Sequence, residues 1–411
     1  MKLDVDFENE KKEEFPLEGR KSVSLLLGAG FSVPKGYPTG RVVNESLENF
    51  DKFPVDFSLA GELAISIDGH PQFAICGLSQ FQKHFLFCKR LIKKYSKLHG
   101  GFDYEEFFDF IKSRKVLLPD YEKLSEDLVD EFNSFQSFVS GIEPIYNQMV
   151  SYVLHDREGK TWYDREPNQL GPIDGYDGFL RAVQKWSEDF IVNVHTLNHD
   201  LLFESFRRTE YLAGLISDGF DEYGSPFYGR LRFENASYNV RLERYKSRYN
   251  TPVRLYKLHG SLDYILYYRT IENCILIPDN YVKMREKMSP LDLMKARNSK
   301  IGYEKYPFAY HADFLTGSKS KIKRYDEPIL FKKLFKRFRN NLRNAEMLVI
   351  IGYGGKDIKI NEMIHNHFDF KAKPVYIFDP YPSDALKEFA SSVRTKVIEK
   401  SVSDLTLQDI E

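Results

Sequence analysis

Short apolar runs that end abruptly in glycine or polar residues recur along the chain. Three of them lie at residues 22–27, 189–194 and 253–258. Runs of this length that lead straight into a turn are typical of buried parallel strands, which read as continuous apolar stretches. We therefore predict three strands of one sheet, each followed by polar residues at its carboxyl end.

From residue 329 the pattern alternates between helical and strand spacing. The expected elements are a helix at 329–343, a strand at 346–351, a helix at 357–368 and a strand at 374–378. Such alternation favours a parallel sheet covered by helices on both faces, with ligands bound beyond the carboxyl ends of the strands. The sequence thus predicts a Rossmann-like α/β fold whose polar turns form the site.

Other segments differ from this core. Residues 1–21 are highly charged and predict a mobile arm, and residues 59–153 carry helical spacing that predicts a helical insertion. The core would then comprise 22–58 and 154–411. Within it we expect insertions near 208–250 and 280–325, and another strand at 272–278.

The charge composition excludes some classes of function. Lys plus Arg number 59 and Asp plus Glu 60, for a net charge of −1, which removes any global electrostatic case for a nucleic-acid or anionic-membrane binder. A local basic strip remains at Lys332, Lys333, Lys336 and Arg337, on an expected amphipathic helix. We interpret it as a solvated face, and a docking strip for DNA or an acidic partner is the alternative.

The chain has three cysteines, too few and too scattered for a disulfide framework or a zinc module. Its apolar runs stop at about five residues, whereas a membrane-spanning helix needs about 20. We therefore expect a cytoplasmic protein without a membrane segment and without a bound metal.

The first polar cluster, at 28–38, begins with Gly28-Ala29-Gly30. Two glycines after a strand let the backbone approach a phosphate, and a following helix directs its amides at the charge. However, Val33 stands where a dinucleotide fingerprint has glycine, and a Walker Gly-Lys-Ser/Thr is missing. An ordinary strand-to-helix turn is therefore an equally good interpretation.

The other clusters also follow strands. Asn198 and Asp200 could orient water or bind ribose hydroxyls, or Thr196 or Asn198 could simply cap a helix. His259 could be catalytic or structural. A glycine turn beginning at Gly352-Tyr353 and reaching Asp357 follows the strand at 346–351, and Asp379 stands where an acid could bind a ribose diol.

Taken in order, these clusters resemble the sirtuin family, and particularly the sirtuin-like NAD hydrolases of bacterial anti-phage systems. The resemblance covers about 22–45, 185–207, 252–262 and 345–400. It implies that NAD is the substrate and that the catalytic residues are Asn198, Asp200 and His259. The residues that it implies for NAD binding are Gly28, Ala29, Gly30, Phe31, Ser32, Thr196, Gly352, Tyr353 and Asp379.

Departures from the sirtuin pattern affect which activity is expected. Sirtuin deacylases carry a four-cysteine zinc ribbon, which three cysteines cannot supply. Thr39-Gly40 also stand where the deacylases have Phe-Arg. The resemblance therefore implies a zinc-free NADase that depletes NAD in anti-phage defence, as abortive infection.

The resemblance also implies partners: a homo-oligomer that works with a HerA-type hexameric ATPase. Two alternatives remain open for the activity. One is a zinc-free NAD-dependent deacylase or ADP-ribosyltransferase. The other is a non-catalytic nucleotide-sensing or DNA-docking subunit of an ATPase complex.

Overall fold

The computed structural model describes most of the chain. The residues described are 17, 19–50, 52–54, 64–66, 80–129, 134–154, 175–233, 236–271, 275–285, 288–297 and 302–410. Most of the expected arm at 1–21 lies outside the described residues, as do parts of the segments at 59–153 and 272–278.

Helices occupy two parts of the described chain. Those of the amino-terminal half are α1 (Gly40–Glu48), α2 (Gln80–His99), α3 (Tyr104–Lys112), α4 (Pro119–Glu122), α5 (Phe135–Val139), α6 (Ile142–Leu154) and α7 (Asp177–Asp189). Those that follow are α8 (Leu202–Ser205), α9 (Ser320–Arg324), α10 (Phe331–Asn344), α11 (Ile358–His367) and α12 (Asp384–Ser392).

Within the described residues, strands form one large sheet and three small ones. The first nine are β1 (Ser22–Leu27), β2 (Lys52–Pro54), β3 (Ala64–Ser66), β4 (Ile191–Thr196), β5 (Ile216–Ser217), β6 (Gly219–Asp221), β7 (Phe227–Phe233), β8 (Ala236–Arg241) and β9 (Arg244–Arg248). The others are β10 (Val253–Lys257), β11 (Tyr264–Thr270), β12 (Leu276–Lys283), β13 (Leu293–Ala296), β14 (Tyr303–Glu304), β15 (Ala345–Ile351), β16 (Val375–Phe378) and β17 (Val397–Ile398).

The large sheet has the strand order β17-β16-β15-β1-β4-β10-β5, and every pairing in it is parallel. The chain moves from β1 through β4 to β10 on one side, and from β15 to β17 on the other. The strand order therefore reverses beside β1, which is where open α/β sheets bind ligands. The loops after β1 and β15 meet at this point.

Alternate residues of β1 explain why both faces of the sheet are covered. Leu25 and Leu27 belong to a core that includes α7 and the helices at 80–154, whereas Leu26 belongs to a second core with α10, α11 and α12. Because successive side chains of a strand point to opposite faces, one apolar strand supplies both cores. The expected Rossmann-like α/β fold, with helices on both faces, is confirmed.

The predicted core elements are observed with small shifts of their ends. Strands form at 22–27, 253–257, 345–351 and 375–378, and helices at 331–344 and 358–367. The strand expected at 189–194 instead runs from Ile191 to Thr196, so His195 and Thr196 are strand residues. In α10, Phe331, Leu334, Phe335, Phe338 and Leu342 are buried, as its amphipathic pattern predicted.

The expected insertions contain more strand than their patterns suggested. Residues 208–250 hold β5 to β9, and β5 is an edge strand of the large sheet itself. Strand β11 was not predicted, and β12 extends to Lys283, beyond the segment 272–278. Within 59–153, Ala64–Ser66 is a strand rather than a helix. In the described part of the chain, no helix is both long and apolar enough to cross a membrane.

Candidate active site

Two glycine loops touch each other at the carboxyl edge of the sheet. The amide of Gly30 donates to the carbonyl oxygen of Gly352 at 2.9 Å, and Gly28 donates to Ile351 at 3.0 Å. A Cβ on Gly28 would lie 2.5 Å from the oxygen of Gly352. Gly352 has a φ of +63°, and its own Cβ would lie 2.2 Å from the amide nitrogen of Phe31. These glycines are therefore needed so that one backbone can pack against another.

Asn198 connects the loop after β4 with the loop after β1. Its side-chain amide donates to the carbonyl oxygen of Gly28 at 2.9 Å and to the hydroxyl of Ser32 at 3.0 Å. Its own backbone amide donates to Oγ1 of Thr196 at 3.0 Å. Asn198, Ser32 and Thr196 are all buried. The first two polar clusters of the sequence thus form one hydrogen-bonded group.

Asp200 continues this group toward β10. Its carboxylate accepts a hydrogen bond from the Ser32 hydroxyl and another, at 3.0 Å, from the amide of Leu202. Lys257, at the end of β10, donates to the backbone oxygen of Asp200 and pairs with Glu204 at 3.4 Å. Burial raises the pKa of the Asp200 carboxyl, although Lys257 and Ser32 oppose that shift.

His259 lies beyond the end of β10, in a buried polar setting. Its Nε2 is 3.2 Å from the hydroxyl of Tyr325 and 3.7 Å from Oδ2 of Asp357. Burial lowers the pKa of His259 well below its usual range, and the positive charge of Lys321 lowers it further. His259 is therefore neutral near pH 7 and can accept a proton.

Lys321 joins this setting to the helices at 80–154. Its Nζ lies 3.3 Å from Oδ2 of Asp357 and 3.3 Å from both carboxylate oxygens of Glu105 on α3. Burial lowers the pKa of Lys321, but the two carboxylates outweigh it and raise that pKa overall. Lys321 thus carries a buried positive charge close to His259.

Helix α3 also holds the amino-terminal end of α9, the helix that carries Lys321. The carboxylate of Asp109 accepts hydrogen bonds from the amides of Ser318, Lys319 and Ser320 at 3.1, 2.7 and 2.9 Å. It also accepts one from the Ser318 hydroxyl at 2.8 Å. The surroundings of His259 therefore depend on α3, more than 140 residues earlier in the chain.

His199 is a second histidine at the site. Its ring centre lies 6.3 Å from that of His259. Burial lowers its pKa, as do His259 and the nearby lysines, while a hydrogen bond to the backbone of Gly260 opposes that shift. Its Nδ1 is buried and has no hydrogen-bond partner among the residues that the structure describes. A buried, unpaired ring nitrogen at this position is suited to a ligand.

Four residues close to His259 were not predicted from the sequence: Glu105, His199, Lys321 and Tyr325. His199 lies inside a motif that was recognised, between Asn198 and Asp200, so its position was the available signal. Lys321 and Tyr325 belong to a segment without clear periodicity, and Glu105 to a helix whose spacing indicated only packing. No local pattern pointed to those three.

Several residues implied for NAD binding have mainly structural surroundings. The Phe31 side chain is buried against Tyr176, Phe179 and Phe206, so a ligand could meet only its backbone. The Tyr353 hydroxyl donates to the backbone oxygen of Asp357 at 3.1 Å and is 2.8 Å from Oδ1 of Asn361.

Ala29 and Asp379 are more open. Ala29 is exposed at the tip of the first glycine loop. Asp379 is half-buried, and its carboxylate accepts a 2.8 Å hydrogen bond from the amide of Tyr381. Burial raises the pKa of Asp379. Its other carboxylate oxygen remains suited to a hydroxyl donor, as a ribose site requires.

No group of three or more His, Cys, Asp or Glu side chains is placed to hold a metal ion within the described ranges. Cys76 and Cys274 lie outside those ranges, and Cys88 is buried in the core of the helices. The groups at the site are amides, hydroxyls, imidazoles, carboxylates and the ammonium groups of Lys257 and Lys321.

The chain is an α/β protein whose candidate ligand site lies where the strand order reverses. The family model of the SIR2-like domain matches residues 192–398, which is half of the chain. The protein therefore belongs to the SIR2-like family. The match includes Asn198, Asp200 and His259, whereas the loop at 28–32 lies outside it.

Solved structures show a distant likeness. A crystal structure of a Sir2 homologue in complex with NAD is 12% identical, with a TM-score of 0.37, covering 95% of this chain and 89% of that one. A mutant Sir2 homologue with ADP-ribose is 11% identical, with a TM-score of 0.34, covering 98% and 95%. Similarity this low says nothing about what the present chain binds. Among curated proteins, none matches the chain.

Proposed function

We propose that this protein is a sirtuin-like NADase that hydrolyses NAD to nicotinamide and ADP-ribose. The observation that carries the proposal is the hydrogen bonding of Asn198 to both Gly28 and Ser32. These bonds join a glycine loop of the kind that binds phosphate to the loop after β4. Strand β4 pairs with β10, the strand that precedes His259. Membership of the SIR2-like family supports NAD as the substrate, because the sirtuin resemblance implies an enzyme that consumes NAD.

The chemistry needs little acid catalysis. Nicotinamide leaves as a neutral molecule when the bond between C1′ of the ribose and the pyridinium nitrogen breaks, and the positive charge passes to the ribosyl group. Water then forms the new C–O bond at C1′ and releases one proton. The enzyme must therefore stabilise an oxocarbenium-like transition state, place a water molecule and accept a proton.

The residues at the site can divide these tasks. Asn198 would orient the ribose and the water, and its amide is already held by two hydrogen bonds. Asp200 would offset the developing positive charge. His259, neutral in its buried setting, would accept the proton from the water or from a ribose hydroxyl.

Incubation of the purified protein with NAD alone tests this proposal. We expect nicotinamide and ADP-ribose in equal amounts, and at least about a hundredfold loss in His259→Gln, since a general base contributes 10²–10⁴-fold. The control is His365→Gln, which changes an exposed histidine on α11. Nicotinamide release that requires an acyl-lysine acceptor would favour a deacylase. Binding of NAD without turnover would favour a sensor.

The role in anti-phage defence and the partners rest on the motif resemblance alone. They extend the proposal to a homo-oligomer that a HerA-type hexameric ATPase controls. Nicotinamide release with and without the ATPase, and cellular NAD levels after phage infection, test this extension. Unchanged NAD during infection would exclude the defence role.

The DNA-docking alternative depends on the basic strip of α10. Two of its cations already have partners within the chain. Arg337 donates to the carbonyl oxygen of Ser247 at 2.9 Å and lies 4.6 Å from the ring centre of Tyr249. Lys333 lies 5.7 Å from the ring centre of Tyr245. Fewer charges are therefore free to contact phosphates, which favours the solvated-face interpretation.

A further inference from the structure

The hydrogen bonds around His259 favour one arrangement of its proton. Asp357 is the N-cap residue of α11, and its Oδ1 accepts from the amides of Lys359 and Ile360 at 3.1 and 3.2 Å. Its Oδ2 is therefore the atom that faces the site. A carboxylate can only accept hydrogen bonds, and Oδ2 has two donors against it: Nζ of Lys321 at 3.3 Å and the hydroxyl of Tyr325.

Tyr325 lies between Asp357 and His259. Its hydroxyl donates to Oδ2 of Asp357 at 3.5 Å and is 3.2 Å from Nε2 of His259. Burial raises the pKa of Tyr325 far above its usual range, and Asp357 adds to this effect, so the hydroxyl keeps its proton. A tyrosine hydroxyl has a single proton to give. A charged carboxylate is a stronger acceptor than a neutral imidazole, so that proton points to Asp357, and the Tyr325 oxygen then accepts from Nε2 of His259.

A neutral imidazole carries one N–H. If Nε2 holds the proton for Tyr325, then Nδ1 carries the lone pair. The direct distance from His259 Nε2 to Asp357 Oδ2 is 3.7 Å, too long for a hydrogen bond, so Tyr325 provides the connection. The order of contacts is therefore Asp357, Tyr325, His259.

We propose that Tyr325 and Asp357 are positioning residues that fix His259 in the tautomer with a protonated Nε2, so that Nδ1 serves as the base. The role of Nδ1 as the base rests on the proposed function, whereas the assignment of the tautomer does not. Neither positioning residue touches the reacting atoms. Both act through the imidazole, as an orienting acid acts on a catalytic histidine.

The elements that carry these residues support a positioning role. The Tyr325 ring stacks on Phe335 with ring centres 3.8 Å apart. Just before it, Arg324 is held by Asp313 and Glu327, with each contact at 2.9 Å. The hydroxyl of Tyr325 is thus fixed by packing and by a buried ion-pair group. A rigid support of this kind is what orients a catalytic base.

The variants Tyr325→Phe and Asp357→Asn test the proposal. Phenylalanine keeps the stack on Phe335 and removes only the hydroxyl, and asparagine still caps α11 well. The matched control is Tyr256→Phe, which removes another buried tyrosine hydroxyl, 3.4 Å from Oδ1 of Asn193.

The direct measurement is the ¹⁵N spectrum of histidine-labelled protein, in which the two tautomers differ and the His259 signal is the one lost in His259→Gln. We expect a protonated Nε2 in the wild-type and Tyr256→Phe proteins, and a mixture of tautomers in Tyr325→Phe and Asp357→Asn. In the same two variants, kcat for nicotinamide release should fall about tenfold or more while KM stays within about threefold, because a general base supplies 10²–10⁴-fold of the rate.

An unchanged His259 tautomer in both variants would overturn the proposal, and so would a wild-type His259 protonated at Nδ1. If the tautomers shift as expected but the wild-type protein releases no nicotinamide, the positioning by Tyr325 and Asp357 stands and the proposed NADase activity fails. If one of the two variants does not fold, the other still reports both the His259 tautomer and the kinetic constants.

Discussion

The side-chain amide of Asn198 donates a 3.0 Å hydrogen bond to the hydroxyl of Ser32. The two residues follow neighbouring parallel strands, so their contact joins two turns that are far apart in the sequence. The second amide proton goes to Gly28. Because both protons of the amide are used, the plane of the Asn198 side chain is fixed before any ligand arrives.

Asn198→Ala should lower both activity and stability. Nicotinamide release should fall at least about a hundredfold, since a positioned polar group at the transition state is worth about 10²–10³. The free energy of unfolding should fall by about 1–3 kcal/mol, because Gly28 and Ser32 lose a buried partner. The control is Asn341→Ala, which removes a 3.0 Å contact between α10 and His195 and should lower stability alone. Equal activity in the two variants would contradict the assignment.

Gly352→Ala should strongly destabilise the protein. The alanine would need a φ of +63° and would bring its Cβ within 2.2 Å of the Phe31 amide nitrogen. We expect a loss of more than about 2 kcal/mol in denaturant unfolding. Gly354→Ala is the matched control in the same turn, because no described atom lies within 4 Å of the place that its Cβ would take. A similar stability for both variants would show that the two loops do not pack as described.

His199→Phe should separate stability from activity. Phenylalanine keeps a ring beside Phe314, whose centre lies 4.9 Å from that of His199, and removes a buried nitrogen without a partner in the described chain. It also removes the hydrogen bond to Gly260, so the free energy of unfolding should change by less than about 1 kcal/mol. Nicotinamide release should nevertheless fall about tenfold or more, as expected for a group that contacts a ligand. Full activity would assign His199 to packing.

Lys321→Met should move the acidic limb of the pH–rate profile to higher pH. Burial keeps the pKa of His259 below its usual value, and the Lys321 charge lowers it further. Without that charge His259 takes up a proton at a higher pH, so the base is lost earlier as the pH falls. Profiles of kcat from pH 8 to pH 5 measure the shift.

The double variant Glu105→Gln/Lys321→Met is the control for Lys321→Met, because it also removes one of the two carboxylates that lose their ion pair with the lysine. The double variant should recover part of the stability that Lys321→Met loses. Its acidic limb should stay shifted to higher pH. An acidic limb at the wild-type position in both variants would show that Lys321 does not act on His259.

The sequence predicted the strands that carry the site because each one is a buried apolar run that ends in a polar cluster. It also predicted Asn198, Asp200 and His259 as site residues, and the structure places all three beyond the carboxyl ends of β4 and β10. Strand β5 was not predicted, since two residues at a sheet edge are too short to show a period. The partners of His259 were missed for another reason. Tyr325 and Lys321 meet it through tertiary packing alone, and nothing in their local spacing differs from that of a surface segment.

The glycines illustrate a subtler difference. Gly28 and Gly30 were interpreted as residues that let a phosphate approach the backbone. In the structure, a Cβ on either would first collide with Gly352. A loop that packs closely on another backbone and a loop that binds phosphate make the same demand for a missing side chain, so the sequence alone does not distinguish them.

The hydrogen bonds between α3 and the start of α9 also affect when the surroundings of His259 can form during translation. Glu105 and Asp109 leave the ribosome long before Lys321, which must wait for its second carboxylate until Asp357 has been synthesised. A growing chain that has not reached Asp357 therefore contains His259 but lacks the contacts that Asp357 makes with His259, Lys321 and Tyr325. Under the proposed NADase function, this dependence on distant segments would keep chains that lack Asp357 from hydrolysing NAD during translation.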